Sequence, residues 1–360
     1  MRVALDATPL LGPRTGVGQY VDNLVRSLAG RGDGPEIVLT PFTLRGGEMP
    51  SDVPAGVRWR HLPVPARLLQ RAWSRSPHPS VEWFSGPVDV FHATNFVSPP
   101  TRRARSVVTI HDLGFETSPE SVTAEVARYR ELVPRGLQRA SVVLTPSEGV
   151  AQEVHDVYGV ATDRLVVSPL GVSPSWSQAV PLTREQLTEL GLPDRYLLFV
   201  GARQPRKDLP TLLAAHAAAR ATHPDVPDLL LVGPTGWGTP VEPGPGVVIR
   251  DHLPRDLLQR LVSTADAVVM ASRYEGFGLP VLEAMASGTA VLASDISAHR
   301  EVGGAVPRFF PVGDAEALAH LIVTAVPDQE RVALGRARAA TFTWEACAEA
   351  TLTAYRRAMS

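Results

Sequence analysis

Short apolar runs alternate with stretches of helical period along most of the chain. In the first half the runs at 3–7, 36–40, 57–60, 88–92, 106–110 and 141–145 read as strands, and residues 19–29, 66–75 and 122–139 carry a helical pattern between them. In the second half, runs at 196–201, 228–233, 247–253, 267–270 and 291–295 are separated by helical stretches ending near residue 220, at 256–264 and from Pro280 onward. A strand apolar along its whole length has no solvated face, which suits a parallel sheet covered on both sides. Strand and helix in alternation predict a doubly wound α/β fold, whose ligands bind beyond the carboxyl ends of the strands. The stretch 173–181, with Pro174, Trp176 and Pro181, reads as a linker. The chain of 360 residues therefore divides into a first domain over 1–175 and a second over 190–342. A terminal amphipathic helix occupies about 343–360.

The densest candidate chemistry lies in Ser272-Arg273-Tyr274-Glu275-Gly276-Phe277-Gly278-Leu279-Pro280-Val281-Leu282-Glu283-Ala284-Met285-Ala286-Ser287-Gly288. It follows the apolar run 267–270, and Pro280 suits the first position of a helix. A strand, a loop with glycines and a helix start aim unpaired N–H groups and a positive dipole end at the strand's carboxyl end, where an anion is favoured. Glu275 in the loop and Glu283 in the first turns of the helix flank that anion site. Carboxylates repel phosphate and accept from hydroxyl groups. A ligand with central phosphates and hydroxyl-rich rings at both ends, a sugar nucleotide, satisfies all three.

Glu275 and Glu283, set seven residues apart within Tyr-Glu-Gly-Phe-Gly-Leu-Pro-Val-Leu-Glu-Ala-Met-Ala, resemble the Glu-x7-Glu motif of the retaining family 4 glycosyltransferases, and the closest motifs are those of bacterial mannosyltransferase-like members. The resemblance spans essentially the whole chain and implies the GT-B fold, two facing Rossmann-like domains with a cleft between them, the final helix packing back onto the first. It implies that Glu275, with Gly276, Phe277 and Gly278, contacts the transferred sugar, that Glu283 contacts the ribose, and that Gly278 and Leu279 meet the donor diphosphate. The loop Ala202-Arg203-Gln204-Pro205-Arg206-Lys207 resembles the basic loop that holds that diphosphate, with Lys207 and Arg206 ahead of Arg203. Relatives often carry an arginine directly after the glycine, and here Ala202 stands there. His111, in His-Asp-Leu, matches the family histidine that touches the sugar and donor phosphate. Gly16-Val17-Gly18 resembles the glycine-rich turn near the donor phosphate, placed here in a loop ahead of a helix from about residue 19. His252 and Leu253 fall where the nucleobase is cupped, and Gly236-Trp237 leans toward GDP-mannose, with a UDP-sugar next. The first domain presents the acceptor hydroxyl of a glycan, a lipid-linked sugar or a small molecule.

Composition narrows the alternatives. A formal net charge of −2 argues against a general nucleic-acid binder. No apolar run suits a membrane helix or a signal peptide, and the single Cys347 fits a reducing compartment, so the expectation is a cytoplasmic protein, with peripheral contact at the inner face of the plasma membrane a further option through the arginines and tryptophans of the first domain. Lys207 is the only lysine among 35 basic residues. The chain has no Asp-x-Asp, so neither a catalytic metal nor a cofactor is expected. A dinucleotide-dependent oxidoreductase lacks its glycine fingerprint here. A catalytically silent sugar-nucleotide-binding protein on the same scaffold is the alternative.

Overall fold

The computed structural model describes residues 1–12, 14, 16–44, 47–117, 128–237, 242–324 and 328–360. They form two compact units, one of residues up to Gly171 joined by Thr343–Ser360, the other from Val172 to Phe342.

The first unit is built on strands β1 (Arg2–Asp6), β2 (Glu36–Thr40), β3 (Arg58–Trp59), β4 (Val90–Ala93), β5 (Arg105–Thr109), β6 (Val142–Thr145) and β7 (Leu165–Val167). They make one seven-stranded sheet in the order β3-β2-β1-β4-β5-β6-β7, with every pair parallel. β4 and β6 are buried at every residue, polar His92 and Thr145 included, as a parallel sheet covered on both faces requires. The strand order reverses between β1 and β4, so the loops after these strands diverge and leave a crevice at the sheet's carboxyl edge.

The last helix, Trp344–Met359, packs on β4 to β7 and on the helix Gly16–Ala29. Its Tyr355 hydroxyl lies 2.8 Å from Nδ1 of buried His92, whose Nε2 lies 2.7 Å from Thr109 Oγ1. His92 is therefore spent inside the core. Gly16 and Gly18 stand in the first turn of the helix Gly16–Ala29, not in the loop expected ahead of residue 19. The glycine at 18 answers crowding: a Cβ there would sit 2.7 Å from the carbonyl oxygen of Pro9. Of the helix expected over 122–139, the described part is Tyr129–Arg139; the remainder lies outside the described residues.

The second unit holds β8 (Tyr196–Val200), β9 (Asp228–Val232), β10 (Val247–Arg250), β11 (Ala267–Met270), β12 (Val291–Ser294) and β13 (Arg308–Phe310), all parallel, in the order β10-β9-β8-β11-β12-β13. Here the order reverses between β8 and β11. The loops at that reversal are the basic stretch 201–208 and the stretch 271–278, so topology alone brings the cations of one beside the carboxylate of the other.

Candidate active site

The site grows from these two loops. After β8 the chain runs through a short helical turn, Pro205–Lys207, and Asp208 adopts a left-handed conformation (φ 49°) before the helix Leu209–Thr222. That kink is held by Asp208 Oδ2, which accepts from Thr211 Oγ1 at 2.8 Å and pairs with Arg273 at 2.8 Å. The N–H of Arg273 donates to the carbonyl of Arg206 at 2.8 Å, stitching the two loops together.

Glu275 is the centre. Its carboxylate accepts from the Lys207 ammonium, from Arg206 Nη1 at 2.6 Å and from Ser272 Oγ at 2.7 Å. Glu275 and Lys207 side chains are each 8% exposed, whereas Arg206 keeps 27%. Burial alone would raise the pKa of Glu275, but Lys207 and then Arg206 outweigh it and hold the carboxyl well below its usual range. It is ionised, and two cations answer one anion.

Behind Glu275 lies a buried relay. Ser272 and Ser294 are fully buried, and Ser294 Oγ donates to the Ser272 carbonyl at 2.5 Å. His299 Nδ1 lies 2.9 Å from the Ser294 carbonyl. A carbonyl only accepts, so Nδ1 carries the proton, and burial keeps this imidazole neutral by pushing its pKa down. Its Nε2 has no hydrogen-bond partner among the described residues.

The His299 ring also backs Gly278, where a Cβ would meet Cδ2 at 3.3 Å. Gly278 (φ 104°) caps the helix Leu279–Ser287, a left-handed position that favours glycine. Leu279 is the first helical residue and Pro280 the second, one place later than expected, because the chain turns at Gly278 itself. The first-turn N–H groups of a helix lack partners within it, so Gly278 and Leu279 stand where an anion would be received. Phe277 is buried against Phe342 instead of lining an open surface. Glu283 lies in the second turn of the helix, partly buried, and its carboxylate makes no side-chain hydrogen bond among the described residues. Burial without such bonds lifts its pKa to about 7, moderated by Arg255.

The remaining sequence candidates have contacts of their own. Arg203 is turned toward the loops after β9 and β10, where Nη1 donates to the Gly233 carbonyl at 2.6 Å and Nη2 to Thr235 Oγ1 and to Asp251 Oδ1 at 3.1 Å. His252 and Leu253 follow Asp251, with His252 exposed. In the first unit, His111 Nε2 donates to the Thr94 carbonyl at 2.8 Å, which leaves Nδ1 as the lone-pair acceptor; burial pushes its pKa down. Tyr20 and Phe96 hold the ring edge-on, with centroids 5.0 and 5.8 Å away. Ser147, at the end of β6, caps the next helix by accepting from the Val150 N–H. Ser272, Ser294 and His299 were not legible as supports of Glu275. The first lies within the motif, but the other two enter only because β12 neighbours β11.

Known proteins share this arrangement of elements. Residues 15–171 match the family described as glycosyl transferase 4-like domain, and residues 194–328 match glycosyl transferases group 1. The O-antigen chain mannosyltransferase B of Escherichia coli is 30% identical, over 99% of this chain and all of that one. A D-inositol 3-phosphate glycosyltransferase of Stackebrandtia nassauensis is 29% identical over 77% of this chain and 68% of its own length. Among solved structures, sucrose-phosphate synthase from Thermosynechococcus elongatus superposes with a TM-score of 0.74 at 21% identity, covering 99% of this chain and 98% of that one. HepE of Anabaena, solved with UDP and glucose, gives 0.67 at 16% identity, with 98% of each chain covered. At such identities the structures speak for the fold, two Rossmann-like units of the GT-B kind. Among the described residues, no helix is long and apolar enough to cross a membrane. With two family matches over most of its length and a relative aligned from end to end, the chain belongs to the group 1 glycosyltransferases and is a sugar-transferring enzyme.

Proposed function

We propose that the enzyme moves a hexose from a nucleoside-diphosphate sugar, GDP-mannose before a UDP-sugar, to a hydroxyl of a glycan, lipid-linked or small-molecule acceptor, with retention of configuration and without a metal. The observation that carries this reading is Lys207 and Arg206 gathered on the buried carboxylate of Glu275, beside a helix N-terminus at the reversal point of a parallel sheet. A diphosphate arriving there meets a guanidinium suited to two parallel hydrogen bonds and a compact ammonium. The same cations stabilise the charge that develops as the nucleoside diphosphate departs. Glu275 is then free to accept from sugar hydroxyls, Glu283 accepts from the ribose, and Gly276 to Leu279 supply close backbone. His111 contacts the transferred sugar, and His252 and Leu253 border the base. Retention follows from a front-face displacement in which a donor phosphate oxygen takes the acceptor's proton, so no protein base is required.

Mannose is favoured because the relative aligned over its full length is named a mannosyltransferase and because Gly236-Trp237 is present. Peripheral attachment at the inner face of the plasma membrane is supported by exposed Arg67, Leu68 and Arg71 on the helix Ala66–Trp73 and by exposed Arg75 just beyond it, with Leu68 61% exposed. The test is a thermal-shift panel of GDP, UDP and ADP with their sugars, each with and without EDTA. The expected result is one nucleotide standing out, GDP first, with no effect of EDTA. A shift that EDTA abolishes refutes metal independence, and no shift from any nucleotide refutes the donor site.

A further inference from the structure

Arg203 is the third residue after β8, and its guanidinium holds groups from the two strands beyond it in the sheet. Nη1 donates to Gly233, the first residue after β9; Nη2 donates to Thr235 in the same loop and to Asp251, the first residue after β10. The backbone follows the same path: the Arg203 N–H donates to the Pro234 carbonyl at 3.1 Å, and Arg203 forms an isolated parallel bridge with Thr235. The side chain is only 11% exposed, whereas its carboxylate partner Asp251 is 77% exposed. The latch is thus closed from inside, with its outer anchor at the surface.

A guanidinium presents its donors in a rigid planar fork, so three acceptors satisfied at once leave the loops little freedom to slide. These bonds occupy three of its five N–H donors, both of those on Nη2 among them, and leave one on Nη1 and the one on Nε. Arg206 and Lys207, by contrast, converge on Glu275.

The geometry points to Arg203 as a positioning residue for nucleobase selection: it fixes the loops 233–237 and 251–253 against each other and takes no part in holding the diphosphate. This rests on the sugar-nucleotide reading, and the ligand it concerns is the base of a nucleoside diphosphate. A base is chosen by hydrogen bonds to loop backbone and a few side chains, and such selection depends on those groups being held in place.

Calorimetric titration of the full chain with GDP, UDP, ADP and inorganic pyrophosphate tests it on the unaltered protein, R203M and D251A. In R203M the ratio of dissociation constants between the preferred nucleotide and the next falls roughly tenfold or more, while pyrophosphate affinity stays within about twofold. D251A, which removes only the exposed anchor, moves the ratio part of the way and decides the matter if R203M does not fold. A large loss of pyrophosphate affinity in R203M makes Arg203 a phosphate ligand and overturns the proposal. An unchanged ratio in the folded variants overturns it too, and leaves the sugar-nucleotide reading standing. Failure of the unaltered protein to bind any of the nucleotides overturns both.

Discussion

If Glu283 meets the donor ribose as proposed, it should tie stability and donor binding to pH in opposite directions. Its carboxyl is raised from 4.5 to about 7, chiefly by burial. That difference corresponds to roughly 3 kcal/mol against the ionised form in the folded protein. Because the folded pKa lies above the unfolded one, folding holds the proton more tightly. Glu283 therefore costs nothing below about pH 4.5, and its penalty grows as pH rises to about 7 and is complete above it. Glu283→Gln removes the titration while keeping the shape. The variant should match the unaltered protein near pH 4.5 and exceed its stability by up to about 3 kcal/mol above pH 7.

Ligand binding runs the other way. A ribose hydroxyl donates more strongly to an ionised carboxylate than to a carboxylic acid or an amide, so a nucleoside diphosphate should bind more tightly as pH rises through about 7, and the variant should bind more weakly with little such dependence. Ionisation of the terminal phosphate is common to both proteins and cancels in the comparison. Urea melts and nucleotide titrations at about pH 5, 7 and 8.5 read both effects. A variant whose stability keeps the same pH profile as the unaltered protein would refute the assignment of the raised carboxyl to Glu283, and unaltered nucleotide binding would remove Glu283 from the ribose site.

Three further outcomes follow from named contacts. Lys207→Met removes one cation from a buried carboxylate that keeps Arg206 and Ser272, so the stability loss should be about 1–3 kcal/mol, short of a wholly unpaired buried charge, and nucleotide and pyrophosphate affinity should both fall about tenfold or more; calorimetry showing unchanged affinity would take the ammonium out of the site. Glu82 accepts from the N–H groups of Arg102, Arg103 and Ala104; burial opposes its ionisation, but these bonds win and bring its pKa to about 2. That stabilisation is present above about pH 4.5 and lost as pH falls toward 2, so Glu82→Gln should flatten the acid limb of the melting profile at a cost of about 1–2 kcal/mol at neutral pH, and an unchanged limb would contradict this. Gly171→Ala would set its Cβ 2.3 Å from the Trp344 backbone nitrogen, forcing the last helix to shift; a loss above about 2 kcal/mol in urea melts is expected, and a neutral result would mean that the helix yields freely.

The chain's local chemistry carried the fold class and the main cluster. Unbroken apolar runs such as Val142-Val143-Leu144 and Ala267–Met270 have no face to offer water, so burial in a parallel sheet was dictated by composition over a few residues. Glycines, a proline and two carboxylates crowded into 275–283 likewise declared a loop feeding a helix N-terminus, and the lone lysine at 207 marked the basic loop. What periodicity could not express was partnership at a distance. Arg203 and Arg206 look alike in sequence, yet one reaches Asp251, 48 residues on, and the other Glu275, 69 residues on. Strand order decides between them, because β8 stands with β9 on one side and β11 on the other. His92 lies near the carboxyl end of β4, beside the sheet's crevice, yet Tyr355, 263 residues later, holds it in the core. The support of Glu275 by Ser294 and His299 arises in the same way, from β12 lying next to β11. Local sequence sets which groups are available, but hydrogen bonds act over about 3 Å, and only the packed sheet brings the right groups within that distance.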